Sequence, residues 1–359
     1  MRYLYRAYLQ SAGLLLILCS AASAQYTITE YSNGITASPT GITAGPDGAL
    51  WFTEMYGDRI GRITTAGVVT EYSAGLTAGS NLYGIAAGSD GALWFTEQTG
   101  NRIGRITTAG VVTEYSAGLT AGSSPMGIAA GSDGALWFTE WIGGRIGRIT
   151  TAGVITEYST GLVPGDPWAI AAGPDGALWY TEQGARQIGR ITTAGVATQY
   201  GIAPYHSPYA IIAGPDGALW FTELGVVGQI GRITTAGVIT EYPLDVTMAP
   251  RWIAAGPDGA LWFTEEYAKA IRRITTAGVI TPYVTDTMPA SVPSGITAGP
   301  DGALWFTEPT GRRIGRIAVP AAPAAAQGVP ALSPWALLLL AALLATAGAV
   351  ELRRRSQRA

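Results

Sequence analysis

GITAGPDGALWFTEMYGDRIGRITTAGVVTEY, residues 41–72, is a unit that the chain states seven times. The glutamate closing its WFTE segment returns as Glu54, Glu97, Glu140, Glu182, Glu223, Glu265 and Glu308, at intervals of 43, 43, 42, 41, 42 and 43 residues. A period of this length marks a repeat architecture in which each unit buries its apolar faces against its neighbours. Within one unit, turn sequences separate four strand-like stretches: GITA (41–44), ALWFTE (49–54), RIGRIT (59–64) and VVTEY (68–72). Pro46-Asp47-Gly48 and the TTAG ending at Gly67 are the tight turns. Four strands per repeat of this length is the pattern of a β-propeller blade. The strands lack clean apolar–polar alternation, as expected where both faces of a blade are covered.

Closure follows from the ends of the repeat array. The seventh unit stops at RIAVP (316–320), without a fourth strand, while YTITEY (26–31) matches the missing one. The expected fold is therefore all-β: a seven-bladed propeller spanning 25–318, with its N-terminal strand completing the last blade.

Length, 359 residues, is mostly absorbed by this one body. Charged residues are 13% of the chain and the net charge is −3, which offers no basic surface for nucleic acid. Cys19 is the single cysteine and falls in the leader, so the exported protein is expected to have no disulfide and no thiolate metal site. Residues 1–24 read as a secretory signal peptide: Arg2 and Arg6, an apolar run from Leu14 to Leu18, and Ala22-Ser23-Ala24 before Gln25. A lipoprotein reading of Cys19 is weaker because Leu18 precedes it. At the other end, a Pro/Ala linker (319–331) leads to an apolar segment (332–352) long enough to span a bilayer, and then to a basic tail (353–359). Arg353, Arg354, Arg355 and Arg358 orient the repeats to the outside. Pro330, Leu332, Ser333, Trp335, the apolar run and the arginine cluster together resemble the IPTL-type C-terminal sorting signals of Gram-negative bacteria. That resemblance implies a transient anchor removed during export to the cell surface; a permanent single-pass anchor is the alternative. Either way the propeller is expected in the cell envelope or at the surface, as a monomer.

Alternating strand direction sorts the loops onto two rims. GPDG or GSDG in all seven units and TTAG in six build one nearly invariant rim. The other varies: MYGD, QTGN, WIGG, QGARQ, LGVVG, EYAK, PTGR. Varied loops on a fixed scaffold are where a site is built. The seven glutamates fall on this variable side, together with the residues fourteen positions before them: Thr40, Tyr83, Met126, Trp168, Tyr209, Arg251 and Ser294.

The glutamates have two readings. Glu54, Glu97, Glu140 and Glu308 face Arg59, Arg102, Arg145 and Arg313 across a hairpin, a structural pairing. Glu182, Glu223 and Glu265 face Gln187, Gln229 and Ala270, are less neutralised, and could hold a hard cation such as Mg²⁺ or Ca²⁺. The tryptophans 51, 94, 137, 179, 220, 262 and 305, one per unit, are packing residues. Trp141, Trp168 and Trp252, with Tyr83, Tyr205 and Tyr209, form either a stacking surface for a sugar or aromatic ligand or a lid on the core. No nucleotide-binding glycine motif, zinc motif or nucleophile elbow is present.

The ordered set GPDG, LWFTE, IGRI, TxxG and TEY over residues 26–318 is similar to the virginiamycin B lyase family. The resemblance implies a Mg²⁺-assisted elimination: a base removes a proton α to a carbonyl, and the ester linkage of a cyclic depsipeptide opens without water. Carried over position by position, the resemblance places the family's metal-site glutamate at Glu308. Its catalytic histidine falls at Ser294 and a second histidine at Arg251. Serine is not a useful base near neutrality and arginine stays protonated. His206, the single histidine, stands three residues before Tyr209 and is a weak candidate base, with Glu223 its expected neighbour. The expectation is a binding or interaction module for a small molecule, a glycan or a surface partner. Its rim would be Tyr83, Trp168, Tyr209, Arg251, Trp252 and Ser294, with Glu308, and more weakly Glu265 and Glu223, as metal ligands. The alternative is a Mg²⁺-dependent carbon–oxygen lyase with a non-standard base.

Overall fold

The computed structural model describes residues 26–159, 166–244, 249–281 and 291–319. These form seven four-stranded antiparallel sheets. The signal peptide, most of the Pro/Ala linker, the apolar C-terminal segment and the basic tail lie outside the described residues. Among the described residues no helix is long and apolar enough to cross a membrane.

Closure is as the sequence dictates. Strand β1 (Thr27–Tyr31) pairs antiparallel with the outermost strand of the seventh unit, Arg313–Ala318, with Thr27 opposite Ala318 and Tyr31 opposite Ile314. Tyr31 stacks on Trp305 at 5.6 Å between ring centroids. On the other side, the glycine of the first TTAG turn packs against the same ring. Gly67 has φ +88°, and a Cβ there would meet Tyr31 at 2.2 Å, so both backbone freedom and close approach demand glycine.

Each blade has the same anatomy. In the second strand, Leu50–Glu54, every residue is buried, because the strand lies between two neighbours in its sheet and two neighbouring blades. Trp51 donates its indole N–H to Asp47 Oδ1 at 3.0 Å, and Arg62 Nε donates to Asp47 Oδ2 at 2.6 Å while its guanidinium lies over the indole. The aspartate of GPDG therefore ties turn, tryptophan and third strand together. This explains why that rim is invariant.

The threonine of WFTE has a role that its repetition in the sequence signals but its type does not. The innermost strand carries a β-bulge, with register shifting between Pro39 and Ile42 in the first blade and at the matching place in the next five. A bulge leaves backbone groups unpaired. Thr53 repairs this: its hydroxyl accepts from Gly41 N–H at 3.0 Å and donates to the carbonyl of Tyr83, in the next blade, at 2.7 Å. Thr96, Thr139, Thr181 and Thr222 repeat both bonds, and Thr307 donates to Thr40, linking blade seven to blade one. A belt of buried hydroxyls thus runs from blade to blade. Thr139→Val, isosteric but without the hydroxyl, leaves the Gly127 N–H and Trp168 carbonyl unpaired. It is expected to lower unfolding free energy by about 1–3 kcal/mol in denaturant titration, with Thr139→Ser recovering most of the loss. An unchanged midpoint for the valine variant would show that the belt carries no stability.

Candidate binding site at the variable mouth

The bulge and the threonine belt together aim the mouth residues. Tyr83, Met126, Trp168, Tyr209 and Arg251 each sit inside a bulge, between the residues at which the register shifts. The carbonyl of each accepts a threonine hydroxyl from the preceding blade. Fixed at the backbone, their side chains converge on the axis.

Four aromatics close the channel there. The hydroxyls of Tyr83 and Tyr209, 126 residues apart, are 3.1 Å from one another. Trp168 lies edge-on to Tyr83 at 5.6 Å and tilted against Tyr209 at 5.3 Å. Trp252 approaches Tyr83 and Tyr209 at 6.0 and 6.2 Å, and Trp141 packs edge-on to Trp168 at 5.6 Å. Tyr83 and Tyr209 are buried; burial pushes the Tyr83 hydroxyl well up from its ordinary pKa, so it stays neutral. Beneath this plug runs an axial cavity of about 340 Å³ lined by glycine, alanine and isoleucine of the inner strands. The expected aromatic grouping is therefore assembled, as a plug over an apolar channel. Tyr205, 79% exposed, stays outside it.

A second cavity, of about 300 Å³, opens at the mouth between blades six and seven. Two local irregularities make it. The inner strand of blade seven is only Ile296–Ala298, so Ser294 stands before it. In blade six, Trp252 occupies the bulge position that is glycine or alanine in the other six blades. A Cβ at the matching Gly41 would meet the next blade's carbonyl at 2.4 Å, and blades four and five admit only the methyls of Ala169 and Ala210 there, so an indole is the exception. Tyr209, Arg251, Trp252, Glu266, Ser294 and Thr310 line the cavity. Arg251 Nε donates to Glu266 Oε2 at 2.7 Å, Nη2 also pairs with that oxygen, and the guanidinium lies 4.9 Å over the Tyr209 ring. Glu266, absent from the sequence-based candidates, had one visible signal: it is the acidic residue immediately after a WFTE glutamate.

The seven repeat glutamates do not reach either cavity. All are 0–1% exposed, wedged between second and third strands. Glu97 and Glu140 accept from Arg102 and Arg145 at 2.8 and 3.0 Å, as the sequence predicts. Glu54 and Glu308 do not make the expected bonds. Arg59 bonds instead to the fourth-strand Glu71 at 3.2 Å and Arg313 to Glu30 at 2.6 Å; in blades two and three the arginine reaches both carboxylates, Glu97 with Glu114 and Glu140 with Glu157. Glu265 is also not under-neutralised as its Ala270 partner suggested. Arg272 Nε lies 2.8 Å from it, since blade six carries this arginine where other blades carry the strand glycine. His206 Nδ1 stands 3.8 Å from Glu223 Oε2, beneath Gly225, and lines neither cavity.

The sequence profile of the virginiamycin B lyase family matches residues 21–207 and 163–323. The chain belongs to the virginiamycin B lyase family. The IPTL-CTERM motif matches residues 327–355, a C-terminal sorting signal of exported or surface proteins. A catalytically inactive histidine-to-alanine variant of virginiamycin B lyase from Staphylococcus aureus, crystallised with quinupristin, is 37% identical. It has a TM-score of 0.76 and covers 82% of this chain and 100% of its own. A streptogramin B lyase structure is also 37% identical at TM-score 0.75, covering 82% of this chain and 98% of its own. Hydrazine synthase of Kuenenia stuttgartiensis, at 17% identity, TM-score 0.66 and coverage of 80% and 96%, shares the fold alone. No curated protein matches the chain.

Against the virginiamycin B lyase pattern, the mouth has a donor set unsuited to a divalent cation. Glu308 is fully buried, and both its oxygens lack a hydrogen-bond partner, which by itself could signal a missing ion. Glu54 shares that condition in a blade with no such expected role, as do Glu223 and Glu265 in theirs, so it belongs to the repeat. Burial first, then the nearby Glu30, pushes the Glu308 carboxyl up to about 7. A hard cation needs six or more oxygens, several of them charged. Among the described residues no group of three or more His, Cys, Asp or Glu gathers to supply them. At the position of the second expected histidine the cavity has instead the guanidinium of Arg251, paired with the carboxylate of Glu266.

Proposed function

We propose that this chain is an exported, surface-sorted propeller of the virginiamycin B lyase family that binds a ligand at its variable mouth without performing the family's elimination. The observation carrying this reading is the replacement of both expected histidines. The Ser294 hydroxyl is hydrogen-bonded to no base among the described residues, the cavity's one carboxylate, Glu266, is paired with Arg251, and Arg251 itself is held by Glu266 and Tyr209. A group that is always protonated takes no proton, and a serine hydroxyl without a base does not either. The aromatic walls and the cavity of about 300 Å³ suit a small molecule or a sugar. Residues 1–24 act as the export signal. Segment 332–352 acts as the membrane anchor, transient or permanent, in a Gram-negative envelope.

The test is chromatographic, because an elimination that opens a ring conserves mass. The full chain, held in mild detergent with Mg²⁺ and quinupristin, is expected to give no linear product above the protein-free control. Turnover by the wild type would overturn the proposal. Turnover abolished by His206→Ala would establish instead a lyase with a displaced base, for which the 3.8 Å approach of His206 to Glu223 is the supporting contact.

A further inference from the structure

The mouth between blades six and seven holds a fixed cation. Arg251 is anchored at three levels. Its backbone carbonyl accepts from Thr222 Oγ1 at 2.7 Å, its guanidinium face covers Tyr209, and its Nε–Nη2 edge pairs with one oxygen of Glu266. This leaves Nη1 without a hydrogen bond among the described residues, on a side chain 31% exposed at the cavity. Glu266 is 35% exposed and belongs to a variable loop. A part-exposed ion pair contributes little net stability, so an incoming anion can compete with Glu266 for the guanidinium. The other carboxylates nearby do not oppose one. Glu265 is paired with Arg272, and Glu308 is sealed below the mouth.

We infer that this cavity is a receptor for a small carboxylate-bearing aromatic ligand, with Arg251 binding the carboxylate and Trp252 the ring. A planar guanidinium can meet a carboxylate with two parallel bonds, here from Nη1 and the second N–H of Nη2, which a histidine in its place would not. Ser294 and Thr310 add hydroxyl groups to the lining, and Trp252 adds apolar surface. At about 300 Å³ the cavity takes a group the size of one acylated aromatic amino acid. A site built this way rejects Mg²⁺ and recruits an anion. The inference rests on the mouth being the binding surface and adds the chemistry of what it selects.

Calorimetric titration of the full chain in mild detergent compares N-acetyl-phenylalanine with N-acetyl-phenylalaninamide, which differ only in the charge of the terminal group. The carboxylate is expected to bind about tenfold more tightly or better, as charge-assisted bonds exceed neutral ones. Arg251→Gln is expected to abolish that preference. Glu266→Gln removes the internal competitor and is expected to strengthen carboxylate binding several-fold while leaving the amide unchanged, a gain that misfolding cannot imitate. Equal binding of the two probes, retained preference in Arg251→Gln, or no binding of either at 10-millimolar order would each overturn the inference. None of these outcomes bears on whether quinupristin is opened, so the two readings fail separately.

Discussion

A chain lacking residues 26–31, with its leader retained, is expected to lose cooperative thermal unfolding or to melt roughly 15 °C or more below the intact protein. The segment supplies a five-residue antiparallel ladder to blade seven, and with it the partner of every outward-facing backbone group on the strand Arg313–Ala318. Its side chains also complete the core. Ile28 and Tyr26 pack against the cluster containing Trp262 and Phe306, and Tyr31 is sandwiched between Trp305 and Gly67 of the first blade. Tyr26, Ile28 and Tyr31 are partly buried, so each contributes less than the ~1.5–3 kcal/mol of a fully buried side chain. Together with the lost ladder they are a sizeable part of a stability that is itself ~5–15 kcal/mol. The exposed strand edge would then invite pairing with other chains. Calorimetry together with size-exclusion chromatography reads both consequences. Melting within a few degrees of the intact chain, as a monomer, would mean the ring does not depend on this strand.

The second large effect is a fall in stability as pH rises. Burial pushes Glu54 and Glu223 up to about 8, Glu97, Glu182 and Glu308 to about 7, and Glu140 to about 6, from an ordinary 4.5. After burial, nearby fourth-strand carboxylates raise several of these further: Glu71 beside Glu54, Glu241 beside Glu223 and Glu30 beside Glu308. Each such group binds its proton more tightly in the folded state. Its contribution to stability is fully present below about 4.5 and is lost as pH rises through 6 to 8. The aspartates of the invariant rim act in the opposite sense. Asp47, Asp90, Asp133, Asp175, Asp216 and Asp301 are lowered from 3.8: burial alone would raise them, but hydrogen bonds from tryptophan and arginine outweigh it. Their contribution is present above 3.8 and is lost as pH falls through their lowered values. Stability should therefore peak between pH ~4 and 5, with a melting temperature at pH ~8.5 lower by the order of 10 °C. Glu54→Gln with Glu223→Gln, which cannot ionise, should flatten the slope. A melting temperature constant or rising from pH ~5 to 8.5 would show that these carboxylates are relieved in solution.

Much of the molecule was legible in one dimension because the repeat states it seven times. Strand and turn chemistry are local, so GPDG, WFTE and TTAG place strands, turns and blade number without knowledge of any neighbour. Closure was legible for the same reason: a unit lacking its fourth strand, and a spare strand at the start, are facts of the string.

Partners across blades were not legible. Register correctly put Glu54 opposite Arg59 and Glu308 opposite Arg313, yet those arginines bond to Glu71 and Glu30, because a long side chain has a second carboxylate, on the fourth strand, within reach. Burial was equally hidden: spacing placed the glutamates on the mouth side, but only the packing of adjacent blades seals them beneath it. The residue types at the mouth were determined by the sequence. The Tyr83–Tyr209 contact across the axis, the Arg251–Glu266 pairing over Tyr209, and the cavity left by the short inner strand of blade seven exist only once the ring has closed. Sequence periodicity specifies each blade in isolation; what faces what at the centre depends on all seven being turned toward a common axis.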